Sequence, residues 1–239
     1  LEAKELLAAR QEKERLLEAA KERAGVFAVG CSFYKLVCLF FLGAFLGDIT
    51  ETIFCLATTG KLMSRSSVVY GPFSIVWGLG CVLLTAILYQ YRNRSDSYIF
   101  IFGTILGGAY EYICSVFTEL VFGTVFWDYS GIPFNLGGRI NLLYCFFWGI
   151  AAVVWLKYLY PLLSSLIEKI PQKAGIPITW LMILFMIFNI IMSGLALNRY
   201  TERHSHISAP ENAVTRFLDK HFTDERMDHI YPNAILVDD

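Results

Sequence analysis

Long apolar runs restrict what this chain can fold into more than any single residue does. A helix needs about 20 mainly apolar residues to cross the ~30 Å hydrocarbon core of a bilayer. Residues 33–58, 69–91, 97–126, 140–163 and 177–198 each meet that requirement. The third run is long enough to tilt or to extend past the hydrocarbon, an adjustment of small cost. No water is available at that depth to bind backbone polar groups, so a crossing segment of this kind must be helical. The sequence therefore reads as an all-α integral membrane protein with about five transmembrane helices. Composition agrees, since 56% of the 239 residues are hydrophobic and only 17% are charged.

The net charge of −1 conceals a segregation, because charges crowd into the two ends of the chain and thin out between them. Residues 1–25 are strong helix formers with intermixed Glu, Lys and Arg, which predicts an N-terminal amphipathic helix ending near Gly25. Leu6, Leu7, Leu16 and Leu17 offer it a modest contact face. Residues 26–200 form the expected polytopic transmembrane domain, and residues 201–239 a soluble C-terminal tail. In that tail, Ser208-Ala209-Pro210-Glu211 reads as the start of a short helix near 211–222. The first 25 residues lack a basic start followed by an apolar core, so targeting to the cell membrane is expected to rely on the first span. Counting Lys and Arg near the spans favours the N-terminus on the cytoplasmic side.

Several function classes find no support. The chain has no phosphate-cradling GxxxxGK[ST], no dinucleotide fingerprint, no nucleophile elbow and no HExxH, so it carries neither a nucleotide motor nor a recognisable soluble catalytic site. No basic patch interleaved with aromatics suggests nucleic acid. The 6 cysteines are scattered through the apolar segments without CxxC spacing and read as packing residues. All 4 histidines lie in the tail, where the pair His204 and His206 is too small a set to make a metal site. No cofactor is expected.

Function is best sought among polar residues inside the spans. Asp48, Glu51, Glu111 and Glu119 are acids at bilayer depth, where an ionisable group faces a bundle interior or cavity and finds a partner. Asp48 and Glu51 are one turn apart on a shared helix face, which fits a cation, proton or cationic-substrate site and equally a cluster that locks helices. Glu111 follows Gly107 and Gly108 and is flanked by Tyr110 and Tyr112, so close helix approach and hydroxyl donors coincide there. Glu119 lies two turns on, rotated by roughly 80°, which lets one acid line the interior while the other nears an interface. Arg65 beside the first span either snorkels to phosphates or reaches inward to Glu51 or Glu111. Tyr70-Gly71-Pro72 precedes the second span. The stretch from Trp127, Asp128 and Tyr129 through Asn135 to Arg139 reads as an ordered connection, either an interfacial turn or a re-entrant loop. Asp128 and Arg139 are candidates to pair with each other or to cap helix ends.

These residues also form an ordered set. Gly60-Lys61 through Ser64-Arg65, Tyr70-Gly71-Pro72, Trp77-Gly78-Leu79-Gly80, Glu111-Tyr112, Glu119, Trp127-Asp128-Tyr129-Ser130, Asn135-Leu136, Gly138-Arg139, Trp148-Gly149, Arg199-Tyr200, Glu202-Arg203 and Tyr231-Pro232-Asn233 together resemble the bacterial putative ABC-transporter type IV, or CmpB-like, permease family. The resemblance covers roughly residues 36–234 and leaves the N-terminal helix outside it. It implies a membrane permease with a separate ATPase subunit. Glu51 matches the family pattern, whereas Asp48 stands where an aromatic residue is expected.

The first reading is thus a permease-like protein moving an unknown solute or lipid. In it Glu51, Glu111 and Glu119 with Arg65 and Arg139 form a polar pathway, and Tyr70, Trp127, Asp128 and Tyr129 shape its mouth. The second is a membrane-embedded enzyme acting on a lipid or lipid-linked substrate, and the third a non-catalytic scaffold. Expected partners are the bilayer, an ATPase subunit and a second copy of the chain.

Overall fold

The computed structural model describes residues 2–206 and 210–236, so Ser208 and Ala209 of the expected helix start lie outside the described residues. The elements are α1 (Glu2–Arg23), α2 (Phe33–Thr59), α3 (Ile75–Leu88, prolonged by a 3-10 turn to Tyr91), α4 (Asp96–Phe122), β1 (Thr124–Val125), β2 (Asn135–Leu136), β3 (Ile140–Asn141), α5 (Leu142–Val154), α6 (Tyr160–Ile167), α7 (Gln172–His204), α8 (Ala213–His221), α9 (Asp224–Ile230) and β4 (Ile235–Leu236). A π turn, Trp155–Leu159, joins α5 to α6, and the whole run Leu142–Ile167 is one apolar rod. Pro161 lacks the N–H for an ordinary helical bond, and the wider π register just before it absorbs the loss.

Four helices, α2, α4, the α5–α6 rod and α7, are long and apolar enough to cross a membrane, while α3 with its 3-10 turn is a shorter apolar helix. The chain is a helical membrane protein. The second apolar run, expected to be helical from residue 69, enters its helix only at Ile75. The intervening backbone finds other partners. The Val69 N–H donates to Ser193 Oγ at 2.9 Å, and the Asn189 side chain accepts from the Tyr70 N–H at 3.1 Å and donates to its carbonyl at 2.7 Å. Those apolar residues are buried as a loop against α7. The third run stops at Phe122 and not 126, because Gly123 takes a left-handed φ of 60° and closes the helix onto the Glu119 carbonyl. Beyond it, β1 pairs antiparallel with β4.

Close packing of α2 on α3 and of α4 on α5 follows one scheme. Gly43-x-x-x-Gly47-x-x-x-Glu51 in α2 recurs as Gly103-x-x-x-Gly107-x-x-x-Glu111 in α4, and Trp77-Gly78 in α3 recurs as Trp148-Gly149 in α5. The contacts repeat with the residues. A methyl on Gly47 would lie 2.1 Å from Trp77 Cβ, and one on Gly107 would lie 2.2 Å from Trp148 Cβ. Gly43 meets Cys81 and Gly78, as Gly103 meets Ala152 and Gly149. Gly78 approaches the Phe40 carbonyl and Gly149 the Phe100 carbonyl, each at 2.8 Å from the hypothetical methyl. Two helical hairpins of common design thus meet where Trp77 stacks on Trp148, with ring centroids 5.2 Å apart. Small residues let backbones approach closely, which is what drives helix association when the solvent is itself apolar.

The ends of this bundle differ. At one end, α1 docks through charge: Arg92 binds Glu14 and Glu18, Tyr89 donates to Glu18, and Lys21 pairs with Glu168 at 2.6 Å. Leu6, Leu16 and Leu17 remain exposed, so the contact face is polar and not the leucine face. At the other end, α8 and α9 pack on the end of α7 around Leu218, Phe222, Met227 and Tyr231. The expected tail helix is present as α8, capped by Asn212, while α9 lies beyond the predicted segment.

Candidate functional site

Glu111, near the middle of α4, is only 7% exposed and is held by neutral donors. Tyr129 Oη donates to its Oε1 at 2.7 Å and Trp148 Nε1 to its Oε2 at 3.1 Å. Glu111 lies about 16 Å along the helix axis from Phe122 at ~1.5 Å per residue. To reach it, the connection between α4 and α5 must fold back along the bundle, as a re-entrant loop does. That connection is well ordered. Gly138 donates to Asn135 Oδ1, Asn135 Nδ2 donates to the Ile132 carbonyl, the Tyr129 N–H donates to the Gly138 carbonyl, and Trp127 Nε1 donates to the Arg139 carbonyl. Tyr129 also stacks on Tyr144, centroids 4.7 Å apart, which aims its hydroxyl.

Arg65 reaches inward and not to solvent. Its Nη2 donates to Glu51 Oε1 at 3.1 Å, and both side chains are largely buried. Glu51 is near enough to Glu111 and Tyr129 to act on both electrostatically. Asp48, one turn before Glu51, is 7% exposed, and its Oδ1 is buried without a hydrogen-bond partner. The Nε of Arg65 is likewise buried and unmatched. Asp48, Glu51, Arg65, Glu111 and Tyr129 are therefore brought together between the two hairpins.

The remaining sequence-selected residues have partners of their own. Arg139 pairs with Glu119, and its Nη1 donates to Ser115 Oγ at 3.1 Å. Of the two alternatives for Asp128 and Arg139, pairing with each other does not occur. Asp128 instead accepts from the Ser130 N–H and hydroxyl, each at 2.8 Å, and these bonds hold its exposed carboxyl below the usual carboxylate range. The Tyr70 backbone is fixed by Asn189 and its ring stacks on Phe188.

Sequence reading missed Trp148 as a donor to Glu111 and Asn189 with Ser193 as the clamps of the loop before α3. The first carried a signal, since the Gly-x-x-x-Gly-x-x-x-Glu and Trp-Gly units occur twice in the chain. It also missed Lys35, fully buried at the opposite end, where it donates to the Ser164 carbonyl at 3.1 Å and to Glu168 at 3.0 Å.

The fold and this site define a polytopic helical membrane protein with paired charges inside its bundle. Residues 38–194 match the family described as putative ABC-transporter type IV, and the chain belongs to that family. No curated protein and no solved structure matches it.

Proposed function

We propose that this chain is the permease-like membrane component of an ABC-type transporter, with α2, α3, α4, the α5–α6 rod and α7 as five spans. Asp48, Glu51, Arg65, Glu111 and Tyr129 form its substrate site, and Glu119 with Arg139 lines the approach beneath the loop carrying Trp127, Asp128 and Asn135. The observation that carries this reading is Glu111. A carboxylate buried at mid-span and bound only by a phenol and an indole is expensive as a structural device, because no opposite charge offsets its desolvation. A separate ATPase supplies the energy, in keeping with the family to which the chain belongs. The test is reconstitution of the purified chain with and without a candidate ATPase, comparing solute flux and lipid products for the wild type and Glu111→Gln. Flux that needs ATP and falls in the variant supports the reading.

A second reading has its own support. An acid and a guanidinium pair at Glu51 and Arg65, and a small apolar crevice lies between α3 and α4, two features that a membrane enzyme acting on lipid would use. Conversion of a lipid without any ATPase, lost in Glu111→Gln, would establish it in place of transport.

A further inference from the structure

The two hairpins share a design but differ in what covers them. In the first, Phe41 of α2 is buried in a cluster with Met186 of α7, and Val37 and Met182 pack against that cluster. The register that relates Gly43 and Gly47 to Gly103 and Gly107 places Ser97 and Ile101 of α4 at the positions equivalent to Val37 and Phe41. There the face is open: Phe41 is 8% exposed, Ile101 54%. With Phe100 of α4 and Ile150, Val153 and Val154 of α5, these residues line a groove of about 550 Å³ on the flank of two membrane-spanning helices. The groove is short. From Asp96 to Ile101 it rises roughly 8 Å at ~1.5 Å per residue, too little to seat a helix that crosses a ~30 Å core but enough for the first part of an acyl chain.

Charge is concentrated at one end of this groove. Asp96 borders it, and Lys157 Nζ lies 3.6 Å from the Asp96 carboxylate while donating to the Arg94 carbonyl at 2.5 Å. Arg94 is exposed, and among the described residues no acid lies within ion-pairing distance of its guanidinium, whereas Arg92 binds Glu14 and Glu18. The Arg94 guanidinium stands 5.8 Å from the Tyr98 ring, and Tyr158, next to Lys157, is exposed. Tyrosines and long basic side chains together mark the headgroup level of a bilayer. One uncompensated cation at that level, beside an apolar trough, is the complement of a lipid headgroup with net negative charge.

We propose that the α4–α5 groove binds an anionic phospholipid, with the phosphate on Arg94 and Lys157 and the start of one acyl chain along Phe100, Ile101, Ile150 and Val154. The mouth of the groove at Asp96 is roughly 22 Å along α4 from Glu111 at ~1.5 Å per residue, and the site does not rest on the transport reading. The purified full-length chain is extracted from vesicles holding equal phosphatidylglycerol, phosphatidylethanolamine and phosphatidylcholine, and the retained lipid is counted by native mass spectrometry. Phosphatidylglycerol is expected to exceed each of the others by about fivefold, the effect of one basic side chain at a membrane surface. Arg94→Gln should bring that ratio to about one. Val154→Trp, which fills the trough and leaves the charges in place, should lower retention of all three lipids. The wild type supplies a test that needs no variant, because extraction in 1 M salt, where the Debye length is ~3 Å, should erase the preference. The proposal is overturned by equal retention of the three lipids at low salt, by a preference that survives 1 M salt, or by an unchanged ratio in folded Arg94→Gln. Unchanged retention in folded Val154→Trp would also overturn it, as would a dimer that Val154→Trp abolishes, which would make the groove an interface between copies of the chain.

Discussion

Gly107→Ala is the sharpest perturbation of the helix packing. The added methyl would sit 2.2 Å from Trp148 Cβ and 2.4 Å from its Cγ, well inside contact distance, and neither atom belongs to the free end of a flexible chain. Relief requires the indole or the α5 backbone to move, and Trp148 is the residue whose Nε1 holds Glu111 at 3.1 Å. Overpacking of this kind costs about 1–3 kcal/mol. For a chain of this size that corresponds to a fall in Tm of roughly 2–4 °C per kcal/mol. Gly47→Ala is expected to cost a similar amount, because its methyl would meet Trp77 Cβ at 2.1 Å in the other hairpin. Gly131→Ala is the control, with no atom within 4 Å of the new methyl and an expected change within about 0.5 kcal/mol. Thermal unfolding in one detergent, followed by tryptophan fluorescence and circular dichroism, compares the three variants. A Gly107→Ala protein as stable as Gly131→Ala would refute the close-packed hairpin design.

Three further outcomes follow from buried or paired groups. Asn189→Ala leaves the Tyr70 N–H and carbonyl without their partners, at about 1–3 kcal/mol for each group, and should expose the Gly60–Ser74 loop to protease before the rest of the chain unfolds. Lys35→Ala removes the buried ammonium shared by Ser164 and Glu168 at the opposite end, while Lys21 still pairs with Glu168; loss of a charge-assisted hydrogen bond of this kind costs about 1.5–3 kcal/mol, and a Tm equal to wild type would contradict it. Bidentate bonds from Arg199 and a further bond from Arg203 hold the Asp219 carboxyl below its ordinary value. The unfolded reference is ~3.9, so this contribution to α8 docking is complete above that pH and is lost as pH falls through the lower folded value. Hydrogen exchange in α8 should rise over that acid range in the wild type and be already raised at neutral pH in Asp219→Asn.

Much of the architecture was legible because the bilayer imposes one length and one secondary structure on every crossing segment. Residues 33–58 became α2 within a residue at the C-terminal end. The failures share a cause. Hydropathy reports that a segment avoids water, not whether its backbone bonds to itself, and so Val69 and Tyr70 read as helix although α7 side chains satisfy them. Pairing was legible where one partner was scarce: Arg65 had few acids within reach and found Glu51. Arg139 had a choice between Asp128 and Glu119, and only the fold of the Gly137-Gly138 turn, both residues at positive φ, decided it. The unmatched Asp48 Oδ1 has no sequence signature at all.

ATP-driven flux of Glu111→Gln relative to wild type, in proteoliposomes holding equal amounts of chain and ATPase, tests the substrate role of the intramembrane acids most directly. Gln keeps the volume and one acceptor for Tyr129 or Trp148 but removes the ionisable carboxyl. Flux is predicted to fall at least about tenfold, the kinetic equivalent of ~1.4 kcal/mol, with Tm within a few degrees of wild type. Unchanged flux, or a loss that merely tracks a lower Tm, would contradict that role and leave Glu111 a structural lock between the two hairpins.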